Sequence, residues 1–361
     1  MTYRLPLLFL GFACLVVGII TGFARLGWDL PLLPANLLLL HGPLMVSGFF
    51  GTLISLERAV ALGARWAYGG PFCGALGGTA LVAGAPVEVG ALLLGMAALI
   101  FTVASVAIVR RQFAIFTVTL LLGAVSWFIG NLIWLLGAPF LYILPWWIGF
   151  LVLTIAGERL ELSRLLPPSR MAREAFIIII VVFLTGIVAS MVVTAAISVI
   201  AVALVALALW LACCDIARHT IKGKGLTRFI AVCLFTGYFW LAIGGLIGLA
   251  AGGSLLNSSL AYDAILHAVF LGFVFSMVFG HAPIIFPAVT GFTVHYHSIF
   301  YTHLILLHFS LVLRLSGDLS GVVEWRTAGG LLNGLALVLF MLNTLMGIIR
   351  DRRLQAKAAI A

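Results

Sequence analysis

Apolar residues run along this chain in blocks of about twenty, separated by short polar joints and without the strict alternation of a half-buried strand. Blocks of that length match what a helix needs to cross the hydrocarbon of a bilayer. They fall at about residues 5–26, 35–57, 67–85, 88–109, 113–136, 140–157, 175–193, 195–213, 227–250, 263–286, 296–315 and 328–349. The pattern predicts an all-α, polytopic membrane bundle of 12 transmembrane helices, organised as one domain over 1–361. The first block, Leu5 to Phe23, lacks a small-residue cleavage site and is followed by more blocks, so it reads as a helix and not as a signal peptide.

Composition sharpens this. Of 361 residues 64% are hydrophobic and only 9% charged, with a mean hydropathy of +1.26, more apolar than a soluble core requires. The net charge of +9 would suit a nucleic-acid binder, but its placement excludes that reading. With the N-terminus inside, all of the 20 lysines and arginines except Arg25, Arg314 and Arg326 fall on the cytoplasmic side. The basic charge is therefore a topology signal, predicting both termini in the cytoplasm and a place in the cell's inner membrane, with lipid as the partner. The five cysteines are odd in number and form no CxxC, which argues for packing thiols and against a disulfide framework or a zinc site.

Polar residues inside the blocks carry the candidate chemistry. The second, sixth and tenth blocks contain GFFGTLISLER, GFLVLTIAGER and GFVFSMVFGHA. In each, Gly-Phe is followed after seven residues by a polar group, Glu57, Glu158 or His281. The recurrence fits a threefold repeat of four helices; chance is the competing account, because Gly-Phe is common in membrane helices.

Histidines are the second signal. His41 and His267 lie a few residues into the second and tenth blocks, which both descend from the outer face, so they sit at matched depth. Two imidazoles so placed suit the axial ligands of a bis-histidyl heme, and the bland alternative is a helix-to-helix hydrogen bond from each. Arg25, Trp28, Arg314 and Arg326 fall at the outer rim, where heme propionates would meet cationic donors. Arg25 and Arg314 lead that group, with interfacial snorkelling as the other reading. Met45 reads as packing. On the inner side, His281, His295, His297, His303 and His308 gather near the ends of the tenth and eleventh blocks. Of these, His281 and His303, with Glu57 and Glu158, would suit copper or another transition metal, or a proton path. Ion pairing explains the glutamates equally well, since each precedes an arginine. Fourteen residues separate His267 from His281, close to four turns of α-helix, so a continuous helix would place both rings on one face.

The stretch LHGPLMVSGFF resembles the second helix of heme-copper oxidase subunit I, where HGxLM supplies an axial ligand of the low-spin heme. The segment from His267 resembles that family's tenth helix, with Phe286, Pro287, Thr290 and Gly291 at the matching distances. FLGFACLVVGIITGFARLGW is similar to its glycine-rich first helix. The chain also looks like the NnrS family, a twelve-span group associated with nitric-oxide metabolism, heme and copper. That family's second-helix pattern HxxxMxxGF matches His41, Met45, Gly48 and Phe49. Its tenth-helix pattern matches His267, Ala268, Gly272, Met277 and Gly280. The resemblance implies a low-spin heme b and a redox partner protein. It also departs from both families: Ile265 stands where oxidases carry the high-spin heme ligand, and the sixth and seventh blocks hold no histidine for copper. Pro43 stands where NnrS proteins carry a histidine.

Three functions follow as expectations. The first is a heme b protein for electron transfer or nitric-oxide-related redox chemistry, without an oxygen-reducing binuclear centre. The second is a secondary transporter, for which polar groups should sit at mid-membrane. The third is a metal-handling or assembly factor using the inner histidines.

Overall fold

Backbone amides placed in hydrocarbon have only one another to bond, and a helix satisfies them all within one segment. The computed structural model describes residues 4–30, 34–166, 168–252 and 259–358; they are helical almost throughout, with no strand among them. The main helices are α1 (Arg4–Arg25), α2 (Asn36–Leu62), α3 (Gly69–Val82), α4 (Val87–Arg111), α5 (Ile115–Leu135) and α6 (Phe140–Leu162). They continue with α7 (Arg170–Ala189), α8 (Thr194–Cys214), α9 (Gly225–Ala251), α10 (Leu260–Thr290), α11 (Phe300–Ser320) and α12 (Val323–Arg352). Among the described residues 11 of these are long and apolar enough to cross a membrane. The exception is α3, whose 14 residues give roughly 21 Å at ~1.5 Å per residue. Of the twelve expected spans, eleven are helices of crossing length and the third is the short α3. Large apolar side chains such as Phe9, Val202 and Phe309 point outward from α1, α8 and α11, a surface made for acyl chains.

The chain divides into two compact units, Met1–Glu161 and Leu162–Ala361. In the first, α3 packs between α1 and α4, and α4 packs along α5. Its core is aromatic: Trp127 of α5 stacks on Phe150 of α6 with centroids 4.9 Å apart and planes 13° off parallel, and Phe101 meets both edge-on. Trp127 donates its Nε1–H to Ser47 Oγ (3.0 Å), and Ser47 donates to Asn131 Oδ1 (2.9 Å). Asn131 returns a bond to the Trp127 carbonyl (3.1 Å), so the loop of polar groups closes on itself. In the second unit α8 packs against α7 and α9, α9 runs along α10, and α11 and α12 form a close antiparallel pair.

Two helices depart from α geometry in the same way. In α2 the eight residues Leu44–Gly51, LMVSGFFG, are π-helical, and in α10 so are the eight residues Ala268–Phe275, AVFLGFVF. Gly-Phe occupies the fifth and sixth positions of both segments. Each π segment follows closely on a histidine, His41 or His267, and each carries a glycine pressed against a tryptophan. A Cβ on Gly51 would collide with the Trp127 ring, and one on Gly272 with Trp240. The sixth helix, which shares the Gly-Phe signature, stays α-helical and has Pro145 instead. The π segment also corrects the one-face geometry of His267 and His281: i→i+5 bonding winds fewer degrees per residue, so the four-turn count no longer returns to the same side.

These glycines should be intolerant of a methyl group. Gly51→Ala and Gly272→Ala are each expected to cost about 1–3 kcal/mol through overpacking, read as a lowered unfolding midpoint in detergent. Gly95→Ala, whose Cβ would meet nothing within 4 Å, should leave the midpoint unchanged or raise it.

Candidate functional site

Hydrogen bonding sorts the histidines by tautomer. A carbonyl oxygen only accepts, so a ring nitrogen bonded to one must carry the proton, and the neutral imidazole then has its lone pair on the other nitrogen. His41 donates from Nδ1 to the carbonyl of Gly18 on α1 (2.7 Å), which puts the basic lone pair on Nε2. Gly22, one turn further along α1, makes room for this ring; a Cβ there would stand 3.1 Å from its Cε1. His267 does the same with the carbonyl of Asp263 (2.8 Å), and His281 with that of Met277 (2.7 Å). In all three the hydrogen bond at Nδ1 fixes the tautomer and orients the ring.

His303 and His308 differ. The Trp240 indole can only donate, and it gives its Nε1–H to His308 Nδ1 (2.9 Å), so the proton of His308 is on Nε2. Asn343 Nδ2 approaches His303 Nδ1 at 3.0 Å and uses that lone pair in the same way. His303 is boxed by the rings of Phe279, Phe300 and Phe340 at 4.7, 5.7 and 5.5 Å, with the Phe279 ring meeting it edge-on at 85°. A ring held so packs the helices together through its Nδ1 contact with Asn343 and the phenyl rings around it. Among the described residues no three His, Cys, Asp or Glu side chains converge as a metal site.

Of the two glutamates of the expected inner site, Glu158 is engaged in an ion pair. Arg58 donates from Nη2 to Glu158 Oε1 (3.0 Å), and both side chains are largely buried. The pair joins the Glu57-Arg58 of α2 to the Glu158-Arg159 of α6, the matching dipeptides of the two Gly-Phe segments.

The environment of His267 is the most charged place inside the second unit. Asp263 Oδ2 lies 3.4 Å from His267 Nδ1 and accepts from Arg314 Nη2 at 2.9 Å. Arg314 comes from α11, where it is mostly buried. Nearby in the same hairpin, Arg326 of α12 pairs with Asp318 of α11 (Nε to Oδ1, 3.1 Å), whose side chain is fully buried. Glycines bring the two helices this close: Gly329 of α12 abuts the backbone of Arg314, and Gly317 of α11 abuts that of Arg326. Arg25 is placed differently. It is exposed at the end of α1 and reaches the Leu38 carbonyl at 3.5 Å.

Asp263 and Asp318 escaped the sequence reading, which gave its attention to histidines and arginines. The signal was present: Asp263 precedes His267 by four residues, and Asp318 follows Arg314 by four, the spacing that puts two side chains on one helical face.

Arg58→Ala leaves a largely buried carboxylate without its partner and is expected to destabilise the first unit by about 3 kcal/mol. Adding Glu158→Ala should recover much of that loss, as measured by thermal unfolding of both variants in detergent.

Comparison with curated proteins finds no match. A family model does match, over residues 4–349, and by it the chain belongs to the family described as Domain of unknown function (DUF8744).

Proposed function

We propose that this protein is a heme b-binding membrane protein serving electron transfer or nitric-oxide-related redox chemistry, with His41 and His267 as the two axial ligands. The observation that carries the reading is the shared state of these rings. Each has its Nδ1–H tied to a main-chain carbonyl, and each precedes an eight-residue π segment with Gly-Phe at its fifth and sixth positions, His267 directly and His41 across Gly42 and Pro43. π-helical turns recur at functional sites, because they re-aim side chains at a cost that ordinary packing does not require. Each imidazole taken by itself is of the kind that holds heme iron, a ring oriented by a hydrogen bond at its far nitrogen on an apolar helix. Bound there, a heme would supply a reversible one-electron couple.

The chain's own residues set the limits of this chemistry. Ile265 and Pro43 offer no ligand where related families place one, and α6 and α7 carry no histidine, so the reading stops short of an oxygen-reducing binuclear centre. Arg314 and Arg25 remain candidates for anionic groups at the rim, Arg314 with Asp263 already as its partner.

Twelve crossings with both termini in the cytoplasm belong to the same proposal. The 3-10 turn Arg65–Tyr68 leads directly into Gly69–Val82. At roughly 2.0 Å per residue for the turn and 1.5 Å for the helix, the stretch reaches about 29 Å, close to the thickness of the hydrocarbon layer. A transporter is the second reading; the charges of Asp263, Arg314, Asp318 and Arg326 lie toward the helix ends and not at mid-membrane, which counts against it.

The visible spectrum of protein purified from its own membrane decides between them. A sharp reduced α-band is expected, lost in His41→Ala and in His267→Ala and retained in His281→Ala. A colourless wild-type protein overturns the heme reading, and an unaltered band in either of the first two variants overturns the ligand assignment.

A further inference from the structure

Asp263 addresses one imidazole nitrogen twice. Its main-chain oxygen takes the proton of His267 Nδ1 at 2.8 Å, while its carboxylate Oδ2 lies 3.4 Å from the same nitrogen. The second distance is longer than a good N–H···O bond, and the reason is visible in the other partner of that oxygen. Arg314 Nη2 holds Oδ2 at 2.9 Å, within the range of a charge-assisted bond.

Arg314 has little freedom to yield. Gly329 of α12 lies against its backbone, and its side chain is only 9% exposed. Asp263 is fixed in turn by sitting one helical turn before His267. One carboxylate oxygen is thus shared between a guanidinium and an imidazole, and what the first takes the second loses.

We infer that Asp263 and Arg314 are positioning residues for His267, with Arg314 governing how strongly the Asp263 carboxylate polarises the imidazole. A carboxylate drawn toward Nδ1–H pushes electron density to Nε2 and makes it a stronger donor; one held by Arg314 leaves the ring closer to plain neutral imidazole. The inference rests on the proposed role of His267 for its consequence at iron. Its first step, the sharing of Oδ2, concerns only this chain's residues and is measurable with or without a bound group.

The experiment uses the full-length protein labelled with [15N]histidine, reduced, in wild type, Asp263→Asn, Arg314→Gln and the double variant. The His267 resonance is identified by its loss in His267→Gln. Arg314→Gln is expected to move the Nδ1 proton downfield as the carboxylate turns to the imidazole, and Asp263→Asn to move it upfield. In the Asp263→Asn background, Arg314→Gln should then have no further effect, because the group through which it acts is gone. Arg314→Lys keeps the buried charge should the glutamine variant fail to fold, and is expected to lie between wild type and Arg314→Gln. Where heme is bound, the midpoint potential should fall in Arg314→Gln, rise in Asp263→Asn, and lose its sensitivity to Arg314 in the double variant.

Equal shifts from Arg314→Gln with either residue at 263 overturn the inference, as does a His267 resonance indifferent to Asp263→Asn. Protein without heme but with the non-additive nitrogen pattern upholds the sharing of Oδ2 and overturns the iron-ligand reading instead.

Discussion

A polar side chain within an apolar helix bundle has no water to turn to, and leaving it unanswered costs several kcal/mol. That constraint organises the interior of both units. Ser47, Asn131 and Trp127 close a ring of donors and acceptors around the π segment of α2. Trp240 serves His308, Asn343 serves His303, and Asn333 serves Ser310. The same requirement fixes the chemistry of the rings concerned. An imidazole whose partner is a carbonyl keeps a lone pair to give away, and one whose partner is an indole does not. The tautomer of each ring is therefore set by one hydrogen bond, to a carbonyl of α1 for His41 and to one of its own helix for His267 and His281.

Hydropathy made the helices legible because burial in hydrocarbon is a bulk property, summed over twenty residues and insensitive to detail. It was weaker at the edges: α2 runs on to Leu62 with Glu57 and Arg58 inside it, since ion pairing with Glu158 lets charge continue a helix that composition alone would end. It had no means of showing the π segments. LMVSGFFG and AVFLGFVF are as apolar as their surroundings, and hydrogen-bond register is not written in apolarity. The Gly-Phe recurrence did mark the right places in α2 and α10, and the glycine in or beside it turns out to admit a tryptophan.

The candidate site was legible by residue type and not by partnership. His41 and His267 stood out because an imidazole in an apolar run is conspicuous. Arg314 was found for its charge, but its partner Asp263 was passed over, although the i, i+4 relation to His267 is plain once sought. His303 shows the converse. Its position within a histidine-rich stretch pointed toward a metal, whereas its described neighbours are phenyl rings and the Asn343 amide. Residue identity tells what a side chain could do; the groups facing it decide which of those things it does.

The α11–α12 hairpin has a bearing on how the protein is made. Arg326 finds Asp318 within the hairpin, and Gly317 and Gly329 let the two backbones close on each other around the short turn at Gly321. Arg314 must look to α10 for Asp263, which has already left the ribosome when α11 is being synthesised. The hydrogen-bonded acid of Arg314 thus lies in a helix synthesised before the hairpin. Integration of the C-terminal pair is in this way tied to the correct arrival of the helix before it.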